Sequence, residues 1–231
     1  MRRMRHLKPR EIQGCQLALD SSIAGSLYDA TTGGSLVAAD GAVARWEDQS
    51  GNGNHVIQGT GASQPLRRVS AKNGLDALEF DGTDDYLDKS GLNTPIPITT
   101  FAFASQNADT TGILVESTTK ATLMLLGLGT DWVASSGSTS TTITNDSTWG
   151  GLIATYSSSG STLQRGRSFS SAGGTAAANY TGVRVGAIRN LYSAFFWDGY
   201  ITEVAIYNRE VDRSVRQRLN DSRSRKWRTD R

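Results

Sequence analysis

The chain has 231 residues, 20% charged and 37% hydrophobic, too apolar for a disordered polymer and too polar for a membrane protein. Its longest apolar stretch, Ala121 to Gly129, falls far short of the roughly 20 residues of a bilayer span. A single cysteine, Cys15, excludes both an internal disulfide framework and a cysteine-rich zinc site.

The net charge of +2 conceals a division along the chain. Residues 1–10 carry Arg2, Arg3, Arg5, Lys8 and Arg10 and no acid, and residues 209–231 carry nine basic and four acidic side chains. The middle, 11–208, has ten basic against eighteen acidic. Basic ends of this kind suit docking on an acidic partner surface, with Arg2, Arg3, Arg5, Lys8 and Arg10 as the contacts. The other reading is that they fold back on the acidic body. Nothing aromatic is interleaved with the basic residues and no nucleic-acid motif accompanies them, so nucleic acid is not an expected partner. The basic start is followed by no apolar segment and no small-residue cleavage site, and an export signal is not expected.

Local patterning is mostly β. Leu75–Phe80, Ile98–Ala104, Ile113–Val115, Leu123–Leu128, Leu152–Tyr156, Val183–Ile188 and Tyr200–Tyr207 read as strands. Within Ile98–Ala104, Phe101 and Phe103 share one face while Thr100 and Ala102 take the other, which predicts a half-buried strand. Turn-prone pairs such as Asn52-Gly53, Asn73-Gly74, Asp81-Gly82 and Gly150-Gly151 punctuate the runs. The Ser/Thr/Gly run at 135–148 reads as a long loop or an edge hairpin. Beyond 209 the pattern changes: Val211, Val215, Leu219 and Trp227 recur at multiples of four, predicting an amphipathic helix over 210–227. Many short strands with glycine turns and no helix between them predict an all-β sandwich.

Trp46-Glu-Asp48-Gln-Ser50-Gly51-Asn52-Gly53-Asn54-His55 resembles a known family, as does Phe80-Asp81-Gly82-Thr83-Asp84-Asp85-Tyr86-Leu87. Both are similar to motifs of the concanavalin-A-like, laminin-G-like jelly-roll domains found in phage virion and bacterial surface proteins. Leu17–Asp20 and Tyr28–Gly33 fit the approach to the motif, and Gly199–Tyr207 with the helix ending at Trp227 fits its close. The resemblance implies a jelly-roll sandwich of two antiparallel sheets with a short C-terminal helix. It also implies three divisions: a basic arm at 1–16, the sandwich at 17–208, and a basic helix and tail at 209–231.

Two readings stand at the acidic motifs. In one, Gly51 and Gly53 permit a tight turn while the Asp and Asn side chains bond neighbouring backbone N–H groups. In the other, Asp48, Asn52, Asp81, Asp84 and Asp85 supply hard oxygen ligands to calcium, as some relatives of this fold do. Asp48, Ser50, Asn52 and Gly53 match the opening of an EF-hand loop, but its twelfth position is Gly59, where a bidentate Glu is required.

The catalytic inventory is thin. His55 flanks a glycine turn, and no Gly-x-Ser-x-Gly elbow, phosphate-binding loop or His-Glu-x-x-His occurs. Glu79-Phe-Asp81-Gly-Thr-Asp84 nearly matches the Glu-x-Asp-x-x-Glu strand motif that glycanases of this fold carry, but its last acid is the shorter Asp and lies after a glycine turn. Trp132, Trp149 and Trp197 lie near predicted loops or strand ends, where they could stack on sugars or cap the core. These observations lead to an expectation of a non-enzymatic component of a phage particle, a capsid decoration, fibre or tail protein. It would be oligomeric, docked on other virion proteins through its basic ends, with glycan contact at the surface. The alternative is a carbohydrate-binding lectin or adhesin, and behind it a glycan hydrolase.

Overall fold

The computed structural model describes residues 7–107, 110–118, 123–136, 139–144, 148–174, 179–188 and 195–228. The first strands are β1 (Cys15–Asp20), β2 (Leu27–Tyr28), β3 (Arg45–Trp46), β4 (Val56–Ile57), β5 (Leu66–Lys72) and β6 (Leu75–Asp81). Next come β7 (Leu87–Thr94), β8 (Ile98–Gln106), β9 (Thr111–Ser117), β10 (Leu123–Leu128), β11 (Asp131–Ser136) and β12 (Thr139–Thr144). The last are β13 (Gly150–Ser157), β14 (Gly160–Arg165), β15 (Ser168–Gly173), β16 (Tyr180–Val185) and β17 (Asp198–Tyr207), followed by helix α1 (Arg213–Trp227).

These strands form a sandwich of two antiparallel sheets. One runs β15-β14-β13-β8-β17-β6-β5, with β1 also paired to β17; the other runs β12-β11-β10-β9-β16-β7-β4-β3-β2. The fold class expected from the sequence is the one observed. Between the sheets, Leu17, Trp46, Phe80, Leu114, Trp132, Ile201 and Val204 form one continuous buried cluster. Burying each large side chain contributes about 1.5–3 kcal/mol, so this cluster is the main favourable term in folding.

For the 135–148 run the described residues take the edge-hairpin alternative: β11 and β12 pair from Asp131↔Thr144 to Ser136↔Thr139, and β12 closes one side of its sheet. Two other sequence expectations need adjustment. The strand expected to run to Ile188 ends at Val185, because Gly186 takes φ +94 where the Phe80 ring leaves no room for a Cβ. Finally, Ile98–Ala104 is buried on both faces. Ala102 and Ala104 enter the inter-sheet core, while Phe101 and Phe103 belong to a second cluster on the outer face.

The helix builds that second cluster. Leu219 and Trp227 pack on Phe101, Phe103, Ile153, Ala205 and Tyr207, with Leu7 and Ile12 of the N-terminal segment at the margin. A bulge in β17 prepares the face: Ile201 pairs with Ala104, whereas Glu203 pairs with Phe103. The extra residue shifts the strand's alternation, so Tyr200 and Glu203 both point outward although three positions apart. Residues 7–14 do not form a free arm. Tyr207 Oη donates to the Pro9 carbonyl at 3.0 Å, and Arg223 Nη2 donates to the Leu7 carbonyl at 2.7 Å.

Candidate functional site

Where α1 ends, the outer face of the first sheet carries a row of near-parallel rings. Trp227 stacks on Phe103 with centroids 5.8 Å apart, and Trp149 stacks on Trp227 at 6.3 Å and on Tyr200 at 5.4 Å. Phe103 and Trp227 are buried, whereas Trp149 and Tyr200 are half-buried and form the open end of the row. Trp149 stands just before β13, and Tyr200 is fixed on β17 directly opposite Glu79 of β6.

Polar groups surround that open end. Tyr200 Oη donates to Glu79 Oε1 at 3.1 Å, and Arg68 Nε of β5 donates to Glu79 Oε2 at 2.5 Å. Arg68 Nη1 reaches Asp40 Oδ1 at 2.6 Å, so one guanidinium holds two carboxylates. Lys72 Nζ lies 5.9 Å from the Trp149 ring centre. Desolvation, and then the Glu79 carboxylate, push the Tyr200 phenol above its ordinary range, so it stays a neutral hydrogen-bond donor. Ring faces for C–H surfaces, next to a carboxylate, a guanidinium and an ammonium for hydroxyls, are the groups a saccharide site combines.

Trp132 and Trp197, expected as partners of Trp149 in sugar binding, lie elsewhere. They are 1% and 0% exposed and stack on each other at 5.7 Å inside the inter-sheet core. Trp132 occupies an inward position of β11, where strand alternation turns it from solvent, and Trp197, just before β17, is held against it by the stack.

The five residues considered for calcium divide into two groups. Asp48 is 8% exposed and both its oxygens are engaged: Oδ1 accepts from Ala18 N and Ser50 N, and Oδ2 from Ser50 Oγ and Asn54 N. Asn52 Nδ2 donates to the Cys15 and Gln16 carbonyls, and Gly51 and Gly53 take φ +92 and +71. These groups tie the 48–54 turn to β1, and His55 Nδ1 accepts the Asp48 N–H at 3.1 Å as part of the same knot. Asp81, Asp84 and Asp85 form a separate cluster with carboxylate oxygens within 4.8 Å of one another, and Asp48 is not among them. Asp81 Oδ1, Asp84 Oδ2 and Asp85 Oδ2 already accept hydrogen bonds from Thr83 N, Ser63 Oγ and Asp81 N. Calcium takes six to eight oxygens, and the two-loop, five-residue ligand set is not assembled. Burial first, and then Asp81, push the Asp85 carboxyl up to about 7.

Of the basic N-terminal residues, Arg2, Arg3 and Arg5 lie outside the described residues, while Lys8 and Arg10 are exposed beside the short 3-10 turn Pro9–Glu11. The sequence reading missed a charged group under the helix end. Glu203, fully buried, accepts from Lys226 Nζ at 2.6 Å, Trp227 Nε1 at 2.9 Å and Arg223 Nη1 at 3.3 Å. Arg223, at a missing step of the apolar stripe, is the one sign of it in the sequence: a charge in a buried helical position needs a buried partner. No helix among the described residues is long and apolar enough to cross a membrane.

No protein-family model matches the chain, and no curated protein matches it in sequence. Solved structures do match its fold. A GH54 α-L-arabinofuranosidase variant soaked with 4-nitrophenyl α-L-arabinofuranoside aligns with 94% of this chain and 64% of its own, at 12% identity and a TM-score of 0.69. Trypanosoma rangeli sialidase with a difluorinated nononic acid aligns with 93% of this chain at 13% identity and a TM-score of 0.61. The chain spans 33% of that sialidase. Domain 4 of AbnA, a GH43 extracellular arabinanase from Geobacillus stearothermophilus solved with arabinotriose, is covered over 98% of its length, at 13% identity and a TM-score of 0.58. These neighbours support a β-sandwich but neither a concanavalin-A-like family nor a phage origin. The expectation of a non-enzymatic virion protein is overturned by them: these three neighbours are glycoside hydrolases and a domain of one.

Proposed function

We propose that this chain is a glycan-active protein of the kind built into glycoside hydrolases, and that it holds a saccharide at the open Trp149–Tyr200 end of the ring row. The observation that carries the reading is the half-buried ring pair with Glu79, Arg68 and Lys72 around it. The likeness to an arabinanase domain solved with arabinotriose, over almost its full length, supports a saccharide as the ligand. Sugar rings would lie against Trp149 and Tyr200, with Glu79 accepting from a hydroxyl and Arg68 donating to one.

Cleavage of the bound glycan is the second reading, favoured by the hydrolases among the neighbours. Hydrolysis needs two carboxyl groups about 5–9.5 Å apart, and Arg68 draws Glu79 and Asp40 to the same patch. Calorimetric titration with arabinotriose, followed by chromatography of the sugar products, tests both. Binding in the micromolar to millimolar range, lost in Trp149→Ala, supports recognition, and product release abolished by Glu79→Gln supports cleavage. Absence of both binding and products across arabino-, xylo- and sialyl-oligosaccharides would overturn the proposal.

A further inference from the structure

Two basic segments from opposite ends of the sequence meet at one cleft. The Pro9–Glu11 turn, β1 with the turn after it, and the last turn of α1 enclose about 440 Å³. Lys8 and Arg10 line it from the N-terminal side, Arg223, Arg225 and Lys226 from the helix, and Pro9, Ala18 and Ile23 supply apolar wall. This cleft is distinct from the ring row, none of whose open-end residues lines it.

The charge does not cancel. Lys226 pairs with Asp20 and Glu203, and Arg223 pairs with Glu203, so two of the five cations are matched by two carboxylates. Lys8, Arg10 and Arg225 form no ion pair among the described residues, and all three side chains are exposed. Folding therefore gathers three unmatched positive charges around a concave, partly apolar space, although each carries a cost of mutual repulsion. A bound anion with a carbon skeleton removes that repulsion and covers the apolar wall at once.

We infer that this cleft binds an acidic saccharide, with its carboxylate or sulfate among Lys8, Arg10 and Arg225 and its C–H face on Ile23. The anion follows from the cleft itself, whereas the saccharide rests on the glycan reading above. Asp20 and Glu203 hold Lys226 inward, which leaves the recognition of the anion to the three free cations.

Titration with trigalacturonate, arabinotriose and inorganic sulfate tests the inference on the full chain, on Arg10→Ala/Arg225→Ala and on Trp149→Ala. Both arginines are exposed, so the double variant should melt with the parent protein. Trigalacturonate should bind at low ionic strength, weaken at least tenfold in the double variant and at 0.5 M salt, and be unaffected by Trp149→Ala. Arabinotriose should show the converse dependence. Trigalacturonate that fails to bind, or binds the double variant equally well, overturns the cleft assignment; sulfate binding as tightly as trigalacturonate overturns the saccharide part of it. Persistence of arabinotriose binding in those cases leaves the ring-row reading standing, whereas its loss in every form of the protein removes that reading separately.

Discussion

Asp20 and Glu203 stand directly opposite each other on β1 and β17, and the Lys226 ammonium bonds both, at 2.8 Å to each Asp20 oxygen and 2.6 Å to Glu203. Opposed like charges on neighbouring strands destabilise a sheet, and here the helix end supplies the counter-charge. Burial and Asp20 push the Glu203 carboxyl up, against the pull of Lys226 and Arg223. Removing the ammonium leaves a fully buried carboxylate facing another, so Lys226→Met should cost about 3 kcal/mol at pH 7 in urea denaturation. The loss should shrink as pH falls, because the Glu203 carboxyl, pushed up by burial, takes a proton and its repulsion with Asp20 ends. Asp20→Asn in the same background should recover part of it.

Trp132 and Trp197 should behave as core and Trp149 as surface. Truncating either buried ring to Ala is expected to cost about 3–5 kcal/mol in stability. Trp149→Ala, at a half-buried position, should cost less while abolishing saccharide binding. Thermal melting beside calorimetry separates the two classes, and a Trp149 variant as unstable as the core variants would argue that its ring serves only the helix contact.

The period-2 strands in the middle of the chain and the four-residue stripe near its end carried the fold class, although the pattern of Ile98–Ala104 did not show that the helix would cover its second face. The ring row was legible only in part. Trp149 stands out by composition and Glu79 by its acidic neighbourhood, but Tyr200 reaches them only through the strand order that puts β17 between β8 and β6. The bulge at Thr202 adds a residue that no alternation pattern announces, so the outward direction of Glu203 could not be read from spacing. The same holds for the cleft: Lys8 and Arg10 are separated from Arg225 by most of the sequence, and only tertiary contacts bring them together.

Asp48 should prove structural. Its two oxygens accept four hydrogen bonds that close the 48–54 turn and fasten it to β1. Hydrogen bonds to a charged group each contribute about 1.5–3 kcal/mol, part of which solvent restores at a partly open turn. Asp48→Ala is therefore expected to lose about 2–4 kcal/mol. The same loss should appear in millimolar calcium and in chelator. A deficit seen only in calcium would instead make Asp48 a ligand.

Asp85 offers a pH signature. It is 5% exposed, accepts the Asp81 N–H, and faces Asp81 and Asp84, so its carboxyl titrates near 7 in the folded protein against an ordinary value of 3.8. The folded chain then binds more protons than the unfolded one between about pH 4 and pH 7. Stability from this group is full below pH 4, falls as pH rises through that window, and levels off above 7 once the ionised carboxylate is paid for in both neighbours' repulsion and lost hydration. Asp85→Asn keeps an oxygen for the Asp81 N–H and carries no charge. Its melting temperature should exceed that of the parent at pH 8 and converge with it near pH 4, and a variant less stable than the parent at pH 8 would mean that the ionised form is the one the fold requires.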